Sequence, residues 1–182
     1  KLGPLTAMFL YTIKLYLLMA DVTKALLSSS ASIRKILVPV DGSSASVKAL
    51  QYATHLAGLE ASDAELLVVH VLEDVKQGGA IGLQAKYGNV RLVEGFKRAR
   101  RDAALEWLEQ VEVAAKKKGI RLKTEVLDGD SKVKVIIEYA NKNRVDLIVI
   151  GSTGLTRFKR LLLGTIANAV VSSAPCPVMV VR

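Results

Sequence analysis

Side chains that form disulfides or bind metals are scarce here: 182 residues contain one cysteine and two histidines, His55 and His70. A lone thiol excludes an intramolecular disulfide framework. A zinc site of Cys and His is not expected either, since such sites draw three or four ligands from short spacings. Aromatic residues make up 5% of the chain, with a single tryptophan, which leaves few rings for the stacking platform of a single-strand binder. Long apolar runs are also lacking. Leu5 to Ala20 is the most apolar stretch, but Lys14 interrupts it, and it falls short of the roughly 20 residues a transmembrane helix needs. It does not read as an export signal either, because that lysine lies inside the would-be apolar region.

Hydrophobic residues account for 51% of the chain, which excludes a wholly disordered polymer. The length suits one domain with an appendage. Residues 1–32 read as an apolar extension, ending in the linker Ser28-Ser-Ser-Ala-Ser32, and residues 33–182 as the folded domain. Met19-Ala20-Asp21 reads as a native start, with residues 1–18 upstream of it. As a helix, the extension is apolar around most of its circumference and needs a partner surface, such as an oligomer contact. The net charge is +9, from 26 basic and 17 acidic side chains. Residues 86–123 hold eleven basic and five acidic side chains, including Lys97, Arg98, Arg100, Arg101 and Lys116 to Lys118. A basic excess attracts phosphates. Glu106, Glu109 and Glu112 follow the first cluster on the same expected helix, so a solvated helix face is the better reading and nucleic acid is not an expected partner.

Lys35 to Val40 is a compact apolar, β-branched run closed by Asp41-Gly42, which predicts a buried strand and a turn. Ser43 to Leu59 then predicts a helix capped by Ser43 or Ser44. Glu65 to Val71 predicts the second strand, a glycine-containing loop covers Asp74 to Asn89, and a long helix runs from about Val90 to Lys118, stopping at Gly119. The rhythm repeats with a strand at Arg121 to Leu127, a turn at Asp128 to Asp130, a helix at Ser131 to Asn143, a strand at Asp146 to Ile150, a helix from about Leu162 to Ser172 and a strand at Pro177 to Val181. Alternating elements of this kind predict an α/β fold, a five-stranded parallel doubly wound sheet with helices on both faces. Ligands of such sheets bind beyond the carboxyl ends of the strands, which directs attention to Asp41, Val71, Asp128 and Gly151.

The most informative stretch is Gly151-Ser-Thr-Gly154, followed after nine residues by Gly164-Thr165. Glycines let backbone amides approach a phosphate, and Gly164-Thr165 lies near the start of the last helix, where unpaired amides attract anions. Arg157, Lys159 and Arg160 lie between the glycines and could reach outer phosphates. Turn glycines at the same spacing are an equally good account from physics alone. Neither the Walker pattern nor G-x-G-x-x-G is present.

KILVPVDGS at 35–43, LLVVHV at 66–71, DLIVIGSTG at 146–154 and LLLGTIANAVVSSAPCPVMVVR at 161–182 together resemble the universal stress protein family, over roughly residues 33–182. The spacing G-x2-G-x9-G-[ST] is similar to that of the family's ATP-binding branch. The resemblance implies a flavodoxin-like strand order 3-2-1-4-5 and a site for ATP, ADP or AMP, with Mg or Mn on the phosphates. It assigns Asp41 to the ribose, the backbone of Val71 to the adenine, Pro39 and Val40 to the adenosine pocket, and Gly151, Gly154, Gly164, Thr165 and Ile166 to ribose and phosphates. His70 reads as a packed strand histidine, and Cys176 as a buried small hydrophobe rather than a reactive thiol. The resemblance also implies a homodimer through the last strand, Val178 to Val181.

Fast phosphoryl transfer needs a metal-binding carboxylate and a residue that orients the nucleophile. Asp41 is the one acidic residue this reading puts in the pocket, and it is already assigned to ribose. The expectation is therefore a cytoplasmic, ATP-binding regulatory module of the stress response with at most slow hydrolysis and no assigned catalytic or metal-ligating residue. The alternative is a non-enzymatic dimeric interaction module that binds nucleic acid or a protein partner through the basic helix, without physiological use of ATP. The loop at 74–89 is expected to act as a lid.

Overall fold

The structure, a computed structural model, describes Lys14, Met19 and residues 32–59, 63–73, 90–153 and 163–182. The chain divides into two compact units, Lys1–Ser32 and Ile33–Arg182. The second contains β1 (Lys35–Val40), α1 (Ser44–Ala57), β2 (Glu65–Glu73), α2 (Val90–Lys117), β3 (Leu122–Gly129), α3 (Lys132–Asn143), β4 (Leu147–Gly151), α4 (Thr165–Ser173) and β5 (Val178–Val181). All five strands are parallel, in the order β3-β2-β1-β4-β5.

The alternation of side chains along each strand sorts the core into two layers. Ile36, Val38, Leu66, Val68 and Val149 face one way, toward Ala49, Ala53 and Ala57 of α1 and Leu108 of α2. Leu37, Leu67, Val69, Val71 and Ile148 face the other, toward Ile136 and Ala140 of α3 and Ala167 and Val170 of α4. Both faces are covered, which is why the strands read as uninterrupted apolar runs. The four-residue spacing of Ala45, Ala49, Ala53 and Ala57, all buried, puts one small-residue stripe of α1 against the sheet.

Several boundaries differ from the sequence reading. β2 and β3 run on to Glu73 and Gly129, because Leu72 and Glu73 continue to pair with Asp128 and Gly129. The expected turn at Asp128 is therefore strand. α4 begins at Thr165, with Gly164 as its N-cap, rather than at Leu162. Ser43 caps α1 by accepting the Ser46 amide, and Ser131 caps α3 by accepting the Lys134 amide. α3 ends on Arg144 in the left-handed conformation, φ 53°, a role that glycine more often fills.

The basic helix is only partly a solvated face. Lys97, Arg98 and Lys116 to Lys118 are exposed. Arg101, however, pairs with Asp128 at the end of β3, and Arg100 donates to the Glu73 carbonyl at 3.4 Å. These two side chains tie α2 to the carboxyl ends of β2 and β3. Cys176 is half-buried against the second layer, and burial pushes its thiol pKa up.

Candidate functional site

The strand order reverses between β1 and β4, so the crevice of this sheet opens where β1 ends at Val40 and β4 ends at Gly151. The turn after β1 is closely hydrogen-bonded. Asp41 Oδ1 accepts the Ser43 amide at 3.0 Å, and the Asp41 amide donates to Ser46 Oγ at 3.3 Å. Ser46 Oγ in turn donates to the Ser43 carbonyl at 2.9 Å. Burial works to raise the Asp41 pKa, but the hydrogen bonds from Ser43 and Ser46 and the charge of Lys132 outweigh it, leaving the carboxyl below its ordinary value. Asp41 is thus ionised and serves its own turn through Oδ1.

The opposite wall is the turn after β4. The Ser43 hydroxyl reaches across to the Thr153 carbonyl at 3.4 Å, joining the two walls. Gly151 lies so close to α1 that a Cβ there would meet the Ala45 carbonyl carbon at 2.7 Å and the Ser46 nitrogen at 2.8 Å. Its glycine is therefore explained by packing against backbone. The Gly164 amide donates to the Ser152 carbonyl at 2.7 Å, and a Cβ on Gly164 would meet that same oxygen at 3.0 Å. Gly164 spends its own N–H on the loop and brings the chain close enough to present the next residues. No side chain caps α4, so the first-turn amides of Thr165 and Ile166, with the Thr165 hydroxyl, form a helix N-terminus suited to an anion.

Val71 lies where β2 outruns β1. The β1 ladder stops at Val40 opposite His70, while β2 pairs with β3 as far as Glu73. The Val71 side chain is buried in the core, so only its backbone is available to a ligand. Pro39 and Val40 end β1 beside it. The structure thus brings Pro39, Val40, Asp41, Val71, Gly151, Gly164, Thr165 and Ile166 to the carboxyl end of one sheet. Gly154, Arg157, Lys159 and Arg160 lie outside the described residues, as does the loop at 74–89.

Sequence reasoning gave Ser43 a capping role only and passed over two further contributors, Ser152 and Lys132. Ser43 and Ser152 are buried polar residues whose hydrogen bonds hold the two turns. Lys132 stands at the start of α3. Its amide donates to Glu73 Oε1 at 3.4 Å, its Nζ lies 3.5 Å from Glu73 Oε2, and its charge acts on both Asp41 and His70. A serine after Asp-Gly is a local signal for Ser43; nothing local marks Lys132, whose role comes from β3 lying beside β2. Among the described residues no cluster of three or more His, Cys, Asp or Glu side chains could hold a metal ion. No described helix is long and apolar enough to cross a membrane.

Residues 32–182 match the universal stress protein family. Universal stress protein MJ0531 of Methanocaldococcus jannaschii is 36% identical over 149 residues, which cover 82% of this chain and 82% of that protein. The structure of universal stress protein UspA from Lactobacillus plantarum superposes with a TM-score of 0.71 at 29% identity, covering 83% of this chain and 99% of that one. A universal stress protein family protein from Arabidopsis thaliana, solved with AMP bound, shares the fold with a TM-score of 0.56 at 22% identity, covering 81% and 90% of the two chains. With the order 3-2-1-4-5, the hydrogen-bonded Asp41 turn and the family match in agreement, this chain belongs to the universal stress protein family.

Proposed function

We propose that residues 33–182 form an adenosine-nucleotide-binding domain that takes ATP, or its products ADP and AMP, and acts as a nucleotide-dependent regulatory module in the stress response. The observation that carries this reading is the uncapped N-terminus of α4, presented by Gly164 in the crevice whose other wall carries the ionised Asp41. In this reading the Thr165 and Ile166 amides and the Thr165 hydroxyl receive phosphate oxygens, with Gly151 and Gly154 shaping the loop. Asp41 accepts from the ribose hydroxyls, the Val71 backbone meets the adenine, and Pro39 and Val40 line the pocket. The AMP held by the Arabidopsis protein supports the fold as a carrier of such ligands.

A Mg or Mn ion would travel with the phosphates, and the chain would contribute binding and orientation with at most slow hydrolysis. β5 is an edge strand, and an apolar edge favours pairing with a second copy, so the module would act as a homodimer through Val178 to Val181. Residues 1–32 would serve as a separate extension. The cytoplasm, where adenine nucleotides are abundant, is the setting this reading calls for.

The test is to denature freshly purified protein, identify released ligand by mass spectrometry, and repeat with Gly164→Val. Nucleotide from the wild type and none from the variant, with unchanged circular dichroism, supports the reading. No nucleotide from either, and no binding of added ATP, overturns it in favour of an interaction module without nucleotide.

A further inference from the structure

None of the contacts proposed above uses His70, although its ring reaches the last residue of β1, next to Asp41. It is half-buried on β2, and its Nδ1 lies 2.9 Å from the Val40 carbonyl oxygen. A carbonyl oxygen only accepts, so Nδ1 carries the proton and donates. Val40 is the last residue of β1, and the ladder to β2 ends at this pair. The histidine side chain therefore engages the carbonyl at the very end of that pairing.

That carbonyl belongs to the peptide joining Val40 to Asp41. The N–H of the same peptide is the Asp41 amide, which donates to Ser46 Oγ. One peptide plane is thus held at its oxygen by β2 and at its nitrogen by α1, and its orientation sets the direction in which the Asp41 side chain leaves the backbone. The carboxylate is further fixed by the Ser43 amide on Oδ1. Burial, the largest influence on the ring, holds the His70 pKa below its ordinary value, and Lys132 and Arg100 act in the same sense against the opposing effects of the Val40 bond and Asp41. At neutral pH the clamp is therefore a neutral imidazole.

We propose that His70 is a positioning residue: by donating Nδ1–H to the Val40 carbonyl it orients the Asp41 carboxylate toward the vicinal hydroxyls of a bound ribose. This rests on the nucleotide reading above and adds to it the element that selects ribose. A positioning role through Asp41 concerns only ligands that have those hydroxyls.

The experiment measures Kd for ATP and for 2′,3′-dideoxy-ATP on the full chain, in the wild type and in His70→Phe, His70→Leu and His70→Asn. Phe and Leu remove the donor, while the amide of Asn returns an N–H. The wild type is expected to prefer ATP about tenfold, the scale of one hydrogen bond to a charged group. His70→Phe and His70→Leu are expected to lose most of that preference through weaker ATP binding, with the dideoxy affinity nearly unchanged, and His70→Asn to recover it. An unchanged preference in the Phe or Leu variant overturns the proposal, as does an equal loss for both nucleotides, the signature of a purely structural histidine. A wild type that binds neither nucleotide overturns the nucleotide reading itself and this inference with it. Should Phe and Leu both fail to fold, His70→Asn decides, since it must hold the wild-type preference and its loss refutes the clamp.

Discussion

A methyl group on Gly151 would sit 2.7 Å from the carbonyl carbon of Ala45, so the end of β4 and the first turn of α1 meet backbone to backbone. This contact sets the width of the crevice between the two turns that build the site. Neither partner can yield by rotating a side chain. Gly151→Ala is expected to destabilise the domain by about 1–3 kcal/mol, the range for overpacking a well-filled interior. Urea denaturation monitored by the single tryptophan, Trp107, measures it. A variant as stable as the wild type would show that α1 can move away from β4 freely.

Ser43 is buried, caps α1 and bridges to the Thr153 carbonyl. Ser43→Ala removes both bonds and is expected to cost about 1–2 kcal/mol, the upper part of the N-cap range. Ser43→Asp, which keeps a capping oxygen but places a second carboxylate beside Asp41, should restore less than the cap alone is worth. Comparison of the two denaturation midpoints tests this.

At the opposite end of the sheet, Asp146 Oδ2 accepts the backbone amides of Arg34 and Lys35, each at 2.9 Å. The bonds are solvent-exposed, so Asp146→Asn, which retains one acceptor oxygen, is expected to cost less than Asp146→Ala, itself about 1 kcal/mol. Nucleotide affinity should not change in either variant, because Asp146 precedes β4 and the site lies beyond its far end. A shift in affinity without a shift in fold would contradict that separation.

Two groups in the site make stability fall with acid. The His70 pKa is lowered on folding, so the unfolded chain takes up this proton first as pH falls below about 6.5, and stability declines in that window. Asp41 is also lowered. Its contribution is fully present above the ordinary carboxylate range and is lost as pH falls through its folded value. Denaturant unfolding at pH 8, 6 and 5 is expected to show a decline from the middle value downward, and His70→Asn should flatten its upper part. A profile of His70→Asn parallel to that of the wild type would remove His70 as its source.

The fold was largely legible because its signals are local and periodic. The runs at Ile36 to Val40, Leu66 to Val69 and Leu147 to Ile150 are apolar without alternation, which is what coverage on both faces requires, and the intervening helices carry their own caps at Ser43 and Ser131. Boundaries that depend on a neighbour were not legible. Asp128 and Gly129 look like a turn in isolation, and they are strand because Leu72 and Glu73 lie alongside.

Hydrophobic pattern and turn chemistry by themselves determined the order of elements and the parallel sheet, and they directed attention to Asp41, Val71 and Gly151 at the carboxyl ends of its strands; the remaining site residues were implied by the family resemblance. The local signals sufficed for the elements because strand and helix periodicity, capping and turn chemistry act within a few residues of one another. Only the tertiary structure decided what each of those residues does with its hydrogen bonds. Gly151 is small because α1 lies against it, Gly164 gives its amide to Ser152, and His70 holds the peptide that precedes Asp41. Each of these contacts joins elements far apart in the chain, and a donor's partner across that distance is set by how the sheet and its helices pack.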